Sequence, residues 1–136
     1  MAYTVRDYMS KPIIVVDPET PVASALSIMK RRGIHSLVVD LTEGAKVAYG
    51  IITTTDIRDK IAAAKRDPAA TMVGEIMTTP VHSASPRWTL QQCAEQMHEL
   101  GIHHMPVLDD DGLAVGMISA TDIFSAVEEA GWESLG

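Results

Sequence analysis

The chain has 136 residues, 46% of them hydrophobic, with a formal net charge of −7 and a single cysteine, Cys93. A chain of this length builds one compact unit, or two very small ones that share a core. No apolar run approaches the ~20 residues of a membrane span, the acidic balance argues against nucleic acid, and one cysteine cannot form an internal disulfide. The N-terminus carries no charged-then-apolar secretory pattern. These features place the protein in the cytoplasm, with no nucleic acid and no membrane as partners. Cys93 falls in a helical pattern and reads as a small core residue.

In chain order, residues 4–9 read as a helical turn packing Val5, Tyr8 and Met9, ended by Pro12. Residues 13–16 form a short apolar strand. Thr20 fits an N-cap, with Pro21 at the first helical position. Val22, Ala25, Leu26 and Met29 then recur at i, i+3, i+4 and i+7, the apolar face of a helix. Lys30, Arg31 and Arg32 suit its last turn, where cations meet the negative end of the dipole, and Gly33 suits the left-handed residue that closes it. Residues 36–40 and 47–53 are the strands of a hairpin around a turn at 41–46. From Thr53 a second helix runs through Ile57, Ile61 and Ala64, and the polar stretch 65–71 leads onward.

The same order then returns. A helical turn at 74–77 is followed by a strand at 81–83 and a helix at 89–100 closed by Gly101. Strands at 105–108 and 114–119 form a hairpin turned by Asp109-Asp110-Asp111-Gly112. A last helix covers 121–130, and 131–136 is a frayed tail.

This recurrence is an internal repeat. At a shift of 68, Val5 meets Val73, Met9 meets Met77, Pro12 meets Pro80 and Gly33-Ile34-His35 meets Gly101-Ile102-His103; the shift then drops to 66, so that Gly50 meets Gly116 and Asp56 meets Asp122. The change falls in the hairpin turn, where loops absorb insertions. Each unit reads β-α-β-β-α after its opening turn. One unit of about 60 residues would bury a marginal core. Two of them, packed sheet to sheet with pseudo-two-fold symmetry, make an α+β domain with a cleft on each side. The expected boundaries are 1–66 for the first unit, 67–72 for a linker and 73–136 for the second.

The closing stretches Gly50-Ile51-Ile52-Thr53-Thr54-Thr55-Asp56-Ile57 and Gly116-Met117-Ile118-Ser119-Ala120-Thr121-Asp122-Ile123 place a hydroxyl residue at a strand-to-helix junction and a carboxylate three residues on. That spacing is close to a capping box, which needs no ligand. Its presence in both halves points instead to two equivalent sites. Both readings stand, and an empty site can be capped by its own acid.

Met77-Thr78-Thr79-Pro80-Val81, Gly101-Ile102-His103-His104-Met105-Pro106-Val107 and the closing stretch occur in order and twice over. Together they resemble a tandem pair of cystathionine-β-synthase (CBS) domains, a Bateman module, from Val5 to about Glu129. The resemblance implies a regulatory module with no catalytic activity and no catalytic cofactor. Such a module senses AMP, ADP, ATP or S-adenosylmethionine in clefts between its units and signals to a partner protein that the sequence does not identify. It also implies further association, here a homodimer through helix faces around Ile57, Ile61 and Ile123. A constitutive interaction or oligomerisation module with empty clefts is the alternative.

Carried over residue by residue, the resemblance makes Asp56 and Asp122 ribose ligands and gives Thr53 and Ser119 to phosphate, with Thr55 and Thr121 in the same turns. It frames one adenine slot with Lys11, Pro12 and Ile13 beside Ser36, Leu37 and Val38. The other is framed by Thr79, Pro80 and Val81 beside His104, Met105 and Pro106. Val38 departs from the pattern by standing where the second unit has Pro106; it keeps an apolar wall and restores a backbone donor. Arg58, matched by Phe124, is either a phosphate partner or a surface arginine. If one site is better formed for adenine it is that of Asp122; if one prefers more phosphate it is that of Asp56.

Other chemistry finds little support. His103 and His104 are adjacent on a strand and point to opposite faces, and no Cys/His cluster has zinc spacing. Asp109 to Asp111 read as a charged turn rather than a calcium loop. There is no nucleophile–base pair and no phosphate-binding glycine loop of the G-x-x-x-x-G-K-[ST] type.

Overall fold

The computed structural model describes residues 2–136. The chain is α+β. Its order is α1 (Val5–Tyr8), β1 (Val15–Val16), α2 (Val22–Arg32), β2 (Ser36–Asp40), β3 (Tyr49–Thr53), α3 (Thr54–Ile57), α4 (Val73–Ile76), α5 (Leu90–Leu100), β4 (His104–Leu108), β5 (Ala114–Ser119) and α6 (Ala120–Ala130). A π-helical turn, Arg58–Ala62, continues α3, and a 3-10 turn, Trp132–Leu135, follows α6. Residues 2–136 contain no helix long and apolar enough to cross a membrane.

Two compact units form, and their limits are not those of the sequence repeat. One is Ile14–Val81; the other joins the chain up to Ile13 to His82–Gly136. Each repeat's opening turn is therefore grouped with the other repeat's strands and helices. A four-residue helix cannot hold itself in water, and the hydrogen bonds show what holds these two. The N–H groups of Val73 and Gly74 donate to the carbonyls of Thr20 and Pro18, both at 2.8 Å. Likewise those of Val5 and Arg6 donate to the carbonyls of Trp88 and Pro86, at 2.9 and 3.1 Å.

In the unit Ile14–Val81, β1 runs parallel to β2, and β2 antiparallel to β3. Leu37 and Val39 face the core with Ile52, and Val22, Ala25 and Met29 of α2 cover them. Helix α2 begins one residue later than expected: Pro21 is extended and its carbonyl accepts the N–H groups of Ser24 and Ala25, so Pro21, not Thr20, is the cap. Its end is as expected, with Gly33 left-handed at φ 63° and the Ile34 N–H returning to Met29 O at 3.0 Å.

In the other unit β4 pairs with β5 over a core of Val5, Leu90, Cys93, Met105, Ile118 and Ala126. Two expectations fail there. The strand at 81–83 does not form; only an isolated parallel bridge joins Ala84 to Val107. The cause is the residue at the central register. Val38 donates its N–H to Ile14 O at 3.1 Å, which ties β1 to β2. Pro106 occupies the matching place and has no N–H to give. The tail is not frayed either. Tyr3 N–H donates to Ser134 O at 2.8 Å, Ser134 is buried, and Leu135 packs on the core.

Candidate functional site

Both closing motifs fold as a strand running directly into a helix. The first helical N–H is consumed in each: Thr54 donates to His35 O and Ala120 to His103 O, both at 3.0 Å. This gives the matched histidines a backbone role in fixing the junction. The capping residue then bonds the acid three positions on, as the capping-box reading requires.

At the first junction, Asp56 is 6% exposed. Its Oδ2 accepts the Thr53 N–H at 3.0 Å and the Thr53 hydroxyl at 3.2 Å. Its Oδ1 accepts Lys60 Nζ at 3.1 Å and the Thr78 hydroxyl at 3.0 Å. Lys60 Nζ also donates to Ile76 O at 2.8 Å. Neither Lys60 nor Thr78 stood among the expected site residues. The i,i+4 spacing of Asp56 and Lys60 was the available signal for the first. For Thr78 no local signal exists, because it arrives with the second repeat's opening segment.

At the second junction, Asp122 Oδ2 accepts the Ser119 N–H at 2.8 Å and the Ser119 hydroxyl at 3.1 Å. Its Oδ1 has no donor among the described residues, and no buried polar side-chain atom among them lacks a partner, so this oxygen is open to solvent. Burial pushes the Asp122 carboxyl above its ordinary pKa, against the lowering effect of the two Ser119 bonds. The two sites thus share a motif and differ in how much acceptor capacity remains.

The grouping of the opening segments is a correction to the sequence reading. Thr79, Pro80 and Val81 follow Thr78, which pairs with Ile51 in β3 and bonds Asp56. Lys11, Pro12 and Ile13 follow Ser10, which pairs with Met117 in β5, the strand that leads to Asp122. Sequence order had assigned them the other way round. The missing side chains at Gly50 and Gly116 let these segments lie so close: an added Cβ would stand 2.9 Å from Met77 Sδ and 2.6 Å from Met9 Sδ respectively.

The remaining expected residues divide by exposure. Leu37, Val38, Met105 and Pro106 are buried in their strands, and Ser36 is buried beside them; His104 is half-buried. Thr55, Thr121, Lys11, Pro12, Thr79 and Pro80 are exposed. Arg58 is exposed and is held by its neighbour, Nε donating to Asp59 Oδ1 at 2.7 Å.

Residues 94–124 also frame an apolar cavity of about 310 Å³, lined by Ala94, Met97 and His98 of α5, Ile102, His103, and Ala120, Ile123 and Phe124 of α6. Phe124 is 68% exposed. Ile61 and Ile123, expected on an open helix face, are instead buried in their own cores, and Ile57 packs beside Ile61's cluster. Among the described residues no group of three or more His, Cys, Asp or Glu could hold a metal ion. Asp109 Oδ1 accepts the N–H groups of Asp111 and Leu113, and Asp110 pairs with Arg87, as a charged turn should.

Comparison with known proteins bears on this arrangement. The family model described as CBS domain matches twice, at residues 5–63 and 73–129. The CBS domain-containing protein YhcV of Bacillus subtilis is 30% identical over 98% of this chain and 90% of its own length. Two longer Arabidopsis thaliana relatives are matched over 24% of their length. Among solved structures, a hexameric CBS-CP12 protein from bloom-forming cyanobacteria superposes with a TM-score of 0.86 at 28% identity, over 95% of this chain and 75% of that one. The CBS domain pair of protein MJ0100, in complex with 5′-methylthioadenosine and S-adenosyl-L-methionine, gives a TM-score of 0.81 at 29% identity, over 94% of this chain and 98% of that one.

Proposed function

The chain belongs to the CBS domain family, as a tandem pair, and from that premise we propose that it is a regulatory module that binds an adenosine-containing ligand at Asp122 and passes the change to a partner protein. The observation that carries the reading is the half-satisfied Asp122 carboxylate. Ser119 fixes it through Oδ2, and Oδ1 remains an open acceptor at the start of an 11-residue helix. A ribose diol supplies the hydroxyl donors that such an acceptor takes. MJ0100's pair, similar over nearly the whole chain, was solved with two adenosine compounds, which supports AMP, ADP, ATP or S-adenosylmethionine as the class to test.

No catalytic step is assigned to the module: it is read as a binding unit, and its ligands are regulatory rather than catalytic cofactors. Such ligands are cytoplasmic metabolites, so the reading places the module in the cytoplasm. A ligand signals only if it binds two arrangements of the module differently. It must also raise the melting temperature when it binds the folded form alone. Melting with added AMP, ADP, ATP and S-adenosylmethionine is the test. A shift with at least one supports the reading, and none at millimolar ligand overturns it.

A second reading, a constitutive association module, is favoured by the exposed Phe124 beside the cavity between α5 and α6. On either reading we expect a homodimer that covers this ring. Wild type should have a dimer mass at micromolar concentration and Phe124→Ser a monomer mass; a monomeric wild type contradicts it.

A further inference from the structure

We propose that Lys60 is an internal ligand of the Asp56 carboxylate, one that closes the first site to a ribose and leaves the module with a single working site at Asp122. For its binding consequence this rests on the ligand reading above. A carboxylate offers about four acceptor positions. At Asp56 four donors fill them: the Thr53 N–H and hydroxyl on Oδ2, Lys60 Nζ and the Thr78 hydroxyl on Oδ1. At Asp122 two donors are present and the second oxygen is open. A diol that must donate two hydroxyls finds room at Asp122 and none at Asp56.

The chain geometry puts Lys60 there. In the second repeat, Ile123 and Ala126 are buried on a regular α6, and Ala126 matches Lys60. A regular helix after Asp56 would aim the lysine at the core. Instead Arg58–Ala62 is a π turn, closed by the Ala63 N–H on Arg58 O at 2.8 Å. Its extra residue per turn brings Ile61 into the core, where it is 6% exposed. Lys60 is released to reach back to Asp56 and across to Ile76 O. The ammonium thereby ties α3 to the end of α4 and neutralises a buried charge that would be costly alone.

Two measurements test this. The first needs no ligand: a double-mutant cycle of Lys60→Met and Asp56→Asn, read by thermal melting. The latch predicts that the second substitution costs far less once the first is present; additive shifts overturn it. The second is calorimetric titration of AMP. Wild type should bind one equivalent, abolished by Asp122→Asn, and Lys60→Met should gain a second equivalent that Lys60→Arg does not. Thr78→Val, which removes the other Oδ1 donor without touching the helix, should give a weaker gain of the same kind. Two equal equivalents in wild type, or one equivalent in folded Lys60→Met and Thr78→Val alike, overturn the closed-site claim. If no variant binds AMP, ADP, ATP or S-adenosylmethionine, the ligand reading fails and the closed-site claim falls with it, while the cycle still decides the latch.

Discussion

Ser119 donates its backbone N–H to Asp122 at 2.8 Å, and the acid's second oxygen receives nothing from the described residues. Burial raises this carboxyl's pKa above its ordinary 3.8. The sign of the linkage follows. A raised folded-state pKa gives stability that is full below the unfolded pKa and lost as pH rises through the folded one. At neutral pH the ionised Asp122 therefore costs stability. Asn keeps an acceptor for Ser119 and removes the charge. Asp122→Asn should melt at or above the wild-type temperature at pH 7, and the gain should vanish as pH falls below 3.8. A fall corresponding to a lost cap, about 1 kcal/mol, would show that the charge is there for the helix.

Gly116→Ala should destabilise more than Gly50→Ala. At Gly116 the new methyl carbon would stand 2.6 Å from Met9 Sδ and 3.1 Å from Ser10 O. At Gly50 it would stand 2.9 Å from Met77 Sδ and 3.4 Å from Thr78 O. A methionine end can swing aside, and a backbone carbonyl cannot. Overpacking of this kind costs about 1–3 kcal/mol, and urea denaturation would read it. Equal losses, or the opposite order, would contradict the close packing of these segments.

Val38→Pro should lower the denaturant midpoint and speed amide exchange in β1. It removes the N–H that Ile14 O accepts at 3.1 Å, a loss of about 1 kcal/mol for one hydrogen bond. Proline is tolerated at the same register as Pro106, so the unit should still fold. Unchanged exchange in β1 would mean that this bond does not hold the strand.

Cys93 is fully buried, and burial, with the nearby Asp122 charge, pushes its thiol up to about 11 from 9.0. Its thiol should resist alkylation in the folded protein and react at once in urea. Because the folded pKa is raised, stability should be lost between about pH 9 and 11. A shift of that size corresponds to roughly 2–3 kcal/mol, and Cys93→Ala should lack that part of the alkaline loss. Rapid labelling of native protein would contradict the burial.

How much of this was legible in the sequence follows the range of the forces involved. Periodicity and punctuation placed α2, α5, both hairpins and the glycine caps, because those are written within a few residues of each element. The capping partnership of Thr53 with Asp56 and of Ser119 with Asp122 was equally local. Long-range pairing was not. Nothing near Thr78 announces that it will meet Asp56, and a repeat aligned by sequence naturally keeps each opening segment with its own half. The π turn was also hidden: Ile57 and Ile61 fit a regular helix as well as a widened one, and only the core's choice of Ile61 distinguishes them. Pro106 was seen as a wall for a ligand, but its missing N–H also decides whether a third strand forms. The closing tail looked frayed for want of periodicity, yet a single carbonyl at Ser134 and the side chain of Leu135 suffice to dock it.

The most direct test of the ligand claim is calorimetric titration of AMP, ATP and S-adenosylmethionine into wild type and Asp122→Asn side by side. Saturable binding by wild type to at least one of them, lost or weakened more than tenfold (about 1.4 kcal/mol) in a variant that melts no lower, is the predicted result. Equal affinity in the two proteins, or no binding to wild type, would contradict it.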